Sequence, residues 1–208
     1  MAEEGEGEIK YLALGDSYTI GEAVESSGNF PHVLAERLRR QTGREVQVEI
    51  IATTGWTTGD LQRAVAARAP REGSYDAVSL LIGVNNQYQG RGLEEYRQQF
   101  AELFAAAQRF AKKPERLFVV SIPDYGYTPF GLAKQQAISE QLDRFNAFAR
   151  DHSAAQQSTD FCDITPISRQ GLDVPALVAP DQLHPSSEMY RRWVDDVIFP
   201  IIQHRFSK

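Results

Sequence analysis

The stretch Ile9-Lys10-Tyr11-Leu12-Ala13-Leu14-Gly15-Asp16-Ser17-Tyr18 decides how this chain is read. A short apolar run, Ile9 to Leu14, ends abruptly in Gly-Asp-Ser, the punctuation expected where a buried β-strand stops. Working outward, 30–41 carries Phe30, Val33, Leu34 and Leu38 at helical spacing and ends near Gly43. Val46 to Ile51 alternates as a strand, and 58–69 reads as a helix closed by Pro70. Ala77 to Ile82 is continuously apolar except for Ser79, as in a strand covered on both faces. A helix is then predicted over 93–111, a strand over 117–122, a helix within 131–153, a strand over 159–164 and a last helix over 186–199. Five β-α repeats imply an α/β fold with a central, mostly parallel five-stranded sheet and helices on both faces. Open sheets of this kind place ligands and chemistry at the carboxyl ends of their strands, where Ser17 falls.

Composition narrows the function. Lys and Arg number 22 against 28 Asp and Glu, a formal net charge of −6. Phosphate backbones are bound by clustered basic residues, so no nucleic-acid partner is expected. Arg37, Arg39 and Arg40 do cluster, but on an amphipathic helix, where a solvated face accounts for them. No apolar run approaches the roughly 18 residues of a membrane span, and no basic amphipathic helix suits a membrane surface, so stable membrane association is not expected. The acidic, Gly-rich start lacks the features of a secretory signal, and the expectation is a flexible acidic tail over 1–8, one domain over 9–208 and a cytoplasmic address. The single cysteine, Cys162, sits in a strand-like setting and reads as a small core hydrophobe. Composition does not speak to oligomeric state.

Four elements carry chemistry. Ser17 needs a base within hydrogen-bond reach before its hydroxyl can act as a nucleophile. Asp181-Gln182-Leu183-His184 supplies one: an aspartate three residues before a histidine can share one side of a turn, fixing the tautomer of the imidazole and stabilising its charged form. Gly55, in Thr53-Thr54-Gly55-Trp56-Thr57-Thr58-Gly59, and Asn85, in Gly83-Val84-Asn85-Asn86, follow the second and third strands. A glycine N–H and an asparagine amide are the kinds of donor that stabilise a developing oxyanion. Each has a simpler role taken singly: a helix cap for Ser17, a positive-φ turn for Gly55, a turn residue for Asn85. What outweighs those roles is that one sheet rim gathers all three. No histidine pair has metal-ligand spacing, so neither a metal nor another cofactor is expected.

These blocks, Gly15-Asp16-Ser17, Gly55, Gly83-x-Asn85 and Asp181-x-x-His184, resemble in order the four motif blocks of the SGNH hydrolases, also called GDSL esterases and lipases. They span residues 15 to 184. The resemblance implies a flavodoxin-like three-layer α/β/α sandwich and hydrolysis through an acyl-serine intermediate. It implies Ser17 as nucleophile, His184 as base, Asp181 as orienting carboxylate, and an oxyanion hole from the Ser17 and Gly55 N–H groups and the Asn85 side chain. Two positions depart from the family pattern. Tyr18 replaces the name-giving leucine, with an expected effect on packing, and Asn86 replaces a frequent aspartate, with an expected effect on the support of the oxyanion loop. The ordinary α/β-hydrolase elbow, Gly-x-Ser-x-Gly, is broken by Thr19.

For the substrate, Tyr125, Tyr127 and Phe130 follow the fourth strand and are candidates for an apolar wall, joined by Trp56 and Tyr88. Short loops favour a shallow cleft for small or short-chain acyl esters, acetylated sugars among them, with a small-molecule ester as the partner. A thioesterase or acyltransferase using the same triad, and a catalytically silent carbohydrate-binding module, are the alternatives.

Overall fold

The computed structural model of this chain describes residues 7–156 and 159–206, so the acidic tail expected over 1–8 lies, but for Gly7 and Glu8, outside the described residues. In chain order the main elements are β1 (Ile9–Gly15), α1 (Ser17–Ile20), α2 (Phe30–Thr42), β2 (Val46–Ala52), α3 (Thr58–Arg68), β3 (Ala77–Leu81), α4 (Val84–Tyr88) and α5 (Leu93–Phe110). There follow β4 (Leu117–Val120), α6 (Gln135–Ala155), β5 (Asp160–Cys162), α7 (Thr165–Ser168), α8 (Ser187–Arg192) and α9 (Phe199–Ile202). The five strands form one sheet in the order β2-β1-β3-β4-β5, with every pairing parallel.

Burial follows that order. The inner strands β3 and β4 are buried throughout, and β1 exposes only Lys10, whereas β2 and β5 at the edges are partly open. Helices α3, α5 and α6 pack on one another, while α2 packs with α8 and the helical turns that follow it. The result is a three-layer α/β/α sandwich. Ser79, the polar residue in the β3 run, shares a 2.8 Å hydrogen bond with the Tyr11 hydroxyl inside the sheet, so its burial leaves no unmet polar group. Cys162 is fully buried, and burial pushes its thiol up.

Local signals set the helix ends. Asn29 caps α2 through its side-chain oxygen, which accepts the His32 N–H, and Gly43 closes it in the left-handed region. Thr57 and Asp60 form a capping box at α3. The last helix runs further than the predicted 186–199: it widens into a π-helical turn over Trp193–Ile198 and continues to Ile202. Pro200, which has no N–H to give the helical ladder, stands two residues after the end of the widened turn. The one-turn helices α1 and α4 are absent from the sequence reading because four or five residues are too few to show a period.

The strand order places the site. From β1 the chain steps outward to β2, then returns across β1 to β3, so adjacent strands β1 and β3 send their connections in opposite directions. A crevice opens at such a switch point. Gly15 pairs with Ala52 on one side and Leu81 on the other, so the segments after β1, β2 and β3 emerge side by side.

Candidate active site

Ser17 is the first residue of α1. Asp16 caps that turn, its Oδ1 accepting the Tyr18 N–H at 3.0 Å, while the Ser17 N–H, at the open end of the turn, has no partner within the helix. Gly15 allows the tight exit from β1: a Cβ there would lie 2.5 Å from the Leu81 carbonyl and 2.0 Å from Thr19 Oγ1. Ser17 is buried beneath the rim, and among the described residues its hydroxyl has no hydrogen-bond partner. Asp16 is fully buried with Oδ2 unpartnered, and burial pushes its carboxyl up to about 7.

The Asp181–His184 turn is held by its own backbone. The Gln182 N–H donates to the Ala179 carbonyl (2.9 Å), and the Ala179 N–H donates to that of His184 (2.8 Å). Gln182 adopts a φ of 65°, an unusual conformation for a residue with a side chain. Asp181 Oδ1 accepts the N–H groups of Leu183 and His184, both at 3.0 Å, and Oδ2 meets His184 Nδ1 at 2.6 Å. Burial alone would raise the Asp181 carboxyl, but the imidazole and the two backbone donors outweigh it and hold the group below its ordinary range. An ionised Asp181 requires the proton on Nδ1, which leaves Nε2 of a neutral imidazole as an acceptor. The Tyr18 ring packs edge-on against His184, with centroids 5.7 Å apart.

Gly55 lies in the bend after β2 with a φ of 83°, and nothing approaches within 4 Å of where a Cβ would stand. Asn85 follows β3, and its Nδ2 donates to the Trp56 carbonyl at 3.0 Å, which fixes the amide beside Gly55. One Nδ2 hydrogen is thus used for orientation and the other remains for a ligand. Asn86 is fully buried: its Oδ1 accepts the Thr58 N–H (2.9 Å) and its Nδ2 donates to Thr58 Oγ1 (2.7 Å). The Thr58 hydroxyl donates in turn to Gln99 on α5. A neutral amide therefore supports this loop with both its donor and its acceptor.

Ser17, Gly55, Asn85 and His184 line one cavity of about 340 Å³ at the switch point. Asp181 stands behind His184. Of the predicted wall residues, Tyr88, Tyr125 and Phe130 line the cavity, while Trp56 and Tyr127 do not. The Trp56 side chain packs against the core, and Tyr127 lies under Arg169, whose guanidinium is 5.9 Å from the ring centre. The cavity is also lined by Tyr18, Thr54, Val84 and Leu183, which the sequence reading did not select. Each is the immediate neighbour of a predicted site residue, and that adjacency was the available signal. Among the described residues no group of three or more His, Cys, Asp or Glu side chains is placed to hold a metal ion, and no helix is long and apolar enough to cross a membrane.

Comparison with known proteins bears on this arrangement. The model of the GDSL-like lipase/acylhydrolase family matches residues 13–192. No curated protein matches the chain in sequence. Among solved structures, a lipase/acylhydrolase from Enterococcus faecalis is 18% identical and superimposes with a TM-score of 0.72, covering 95% of this chain and 96% of its own. An acetyl xylan esterase from Geobacillus stearothermophilus is 20% identical with a TM-score of 0.70, over 94% of this chain and 95% of its own. The psychrotrophic esterase EstA from Pseudoalteromonas sp. is 16% identical with a TM-score of 0.67, over 93% and 98%. At these identities the structures show a shared fold.

Proposed function

The chain belongs to the GDSL-like lipase/acylhydrolase family, and from that premise we propose a serine carboxylester hydrolase for esters of small or short-chain acyl groups, acetylated sugars included. The observation that carries this reading is the meeting of Ser17, Gly55, Asn85 and His184 on one cavity, with Asp181 2.6 Å from the far nitrogen of the imidazole.

The reaction runs in two halves. His184 Nε2 takes the Ser17 proton as Oγ attacks the ester carbonyl carbon. The carbonyl oxygen becomes an oxyanion that the Ser17 N–H, the Gly55 N–H and the uncommitted Asn85 Nδ2 hydrogen receive. As the tetrahedral centre collapses, the C–O bond to the alcohol breaks, and the imidazolium gives that alcohol its proton. Water then repeats the sequence on the acyl-serine, releasing the carboxylic acid and restoring Ser17. Asp181 keeps the proton on Nδ1 throughout and stabilises the imidazolium.

The small acyl group is supported by the size of the cavity, near the lower end of the range for small-molecule sites, and by its Val84 and Leu183 side chains. The structural neighbour named as an acetyl xylan esterase supports the same size class. Turnover of p-nitrophenyl esters from acetate to palmitate, by wild type and Ser17→Ala, tests the proposal. The expected result is an optimum at the short end and a loss of about 10⁴-fold or more in the mutant. Activity that survives in Ser17→Ala would move the nucleophile elsewhere, and an optimum at palmitate would overturn the small-acyl assignment.

A further inference from the structure

Beyond the aromatic wall lies a second cavity of about 390 Å³, to which ester cleavage itself assigns no role. Tyr88, Tyr125 and Phe130 line both spaces and form the partition between them. Each ring touches the other two, with centroids 6.2 to 6.3 Å apart. Tyr125 is fixed. Its ring is buried, and its hydroxyl donates to Gln87 Oε1 (2.8 Å), whose Nε2 donates to Gln141 Oε1 (2.7 Å). The neighbouring Asp124, also buried, is tied to Arg169 at 2.9 Å and accepts from Ser139 at 2.6 Å. Tyr88 and Phe130 are different: they are 59% and 50% exposed. Two large flat rings stand open at the mouth beside a rigid third.

The far wall is not that of an acyl pocket. It combines Ala137 and Ile138 with the side chains of Gln87, Gln141 and Lys134. Gln141 uses its oxygen for Gln87 and keeps its amide hydrogens for a ligand, and among the described residues the Lys134 ammonium has no ion-pair partner. Open aromatic faces next to an oriented amide and a cationic side chain match one kind of group. A sugar ring lays its C–H faces on aromatic rings and turns its hydroxyls toward polar donors. The connection to the reacting centre fits as well. The Phe130 N–H donates to the Gln182 carbonyl at 3.2 Å, so this ring is tethered to the turn that carries His184, the group that must protonate a departing alcohol.

We propose that the second cavity is a subsite for a pyranose ring in the alcohol part of the substrate, so that the ester cleaved is a small acyl group on a glycoside. This rests on the serine-esterase reading above, with the acyl group in the first cavity and the sugar reached past Tyr88 and Phe130. Gln141 and Ala137 are specificity residues in this scheme, since they line the second cavity alone.

The test pairs kinetics with binding. Acetylated xylose, glucose and mannose glycosides are compared with p-nitrophenyl acetate in wild type, Gln141→Ala and Ala137→Trp. The expected result is that kcat/KM for the preferred glycoside, relative to p-nitrophenyl acetate, falls at least tenfold in both variants. Titration calorimetry of the matching unacetylated oligosaccharides into Ser17→Ala should show binding that Ala137→Trp abolishes. Unchanged ratios together with no oligosaccharide binding overturn the proposal. So does the opposite selectivity, in which Ala137→Trp removes turnover of a decanoate ester and leaves the glycosides alone, for the cavity then holds an acyl chain. If Ser17→Ala still hydrolyses esters, the esterase reading fails by itself, and the calorimetric result continues to decide what the cavity binds.

Discussion

Asp181 meets His184 with both of its oxygens: Oδ2 lies 2.6 Å from the ring Nδ1, and Oδ1 accepts the backbone N–H of the same residue at 3.0 Å. Side chain and main chain of the histidine are therefore set by one carboxylate. Asp181→Asn keeps an oxygen for the backbone but loses the charge that holds the proton on Nδ1. We expect kcat to fall about 10³–10⁴-fold, measured on a short ester, with the far-ultraviolet spectrum unchanged. A fall of less than tenfold would remove Asp181 from the triad.

The same carboxylate links stability to acid. Its folded pKa is held below the ordinary value of about 3.9, so it stabilises the folded chain above that value. The contribution disappears as pH falls through the lowered folded value. Urea midpoints should thus favour wild type over Asp181→Asn near neutrality, with the gap closing below about pH 4. A gap that stays constant from pH 7 to pH 3 contradicts this assignment.

Asn85 and Asn86 are adjacent but predicted to fail differently. Asn85→Ala removes an oxyanion donor, and kcat should drop about 10²–10³-fold with little change in the folded state. Asn86→Ala instead leaves the buried Thr58 N–H without its acceptor, at a cost of about 1–3 kcal/mol in denaturant unfolding. Asn86→Asp keeps an acceptor for the Thr58 N–H but has no N–H to give the Thr58 hydroxyl, which already donates to Gln99, and should recover only part of that stability. Equal stability losses for Asn85→Ala and Asn86→Ala would show that the two do not divide the work in this way.

Much of this was readable in the chain because its signals are local. The β1 run, the glycine at its end and the three-residue step from Asp181 to His184 each act within a few positions. The parallel sheet then brings its strand ends together by topology alone. What was not readable depends on distance in space. Nothing near Trp56 says that its ring turns to the core while its carbonyl orients Asn85. Nothing near Tyr127 says that Arg169 covers it. The role of Asn86 likewise needs Thr58, 28 residues away, and Gln99 beyond it.

Gly55 separates backbone strain from crowding. Its φ of 83° penalises any side chain, yet the space where a Cβ would stand is open. Gly55→Ala should therefore cost only the left-handed penalty, about 1–2 kcal/mol, in a chemical denaturation curve. Turnover should fall further than stability implies, because relaxing φ turns the N–H away from the oxyanion. A variant destabilised by that amount but with wild-type kcat would exclude the Gly55 N–H as a donor.

Asp16 gives the opposite pH dependence to Asp181. Its folded pKa is raised to about 7 by burial, while in the unfolded chain the ordinary value of about 3.9 returns. Between those values the folded protein holds a proton that the unfolded chain has released, so stability from this group falls as pH rises and levels off above about pH 7. Asp16→Asn cannot titrate, and its side-chain oxygen can still cap α1 by accepting the Tyr18 N–H. The difference in melting temperature should therefore grow in favour of the variant from pH 4 to pH 7 and then stay constant. The phenols of Tyr18 and Tyr190, which the Asp16 carboxylate faces, are themselves pushed up by burial, so neither ionises within that window. A difference that does not vary with pH would mean that Asp16 is already neutral, or already charged, across the whole range.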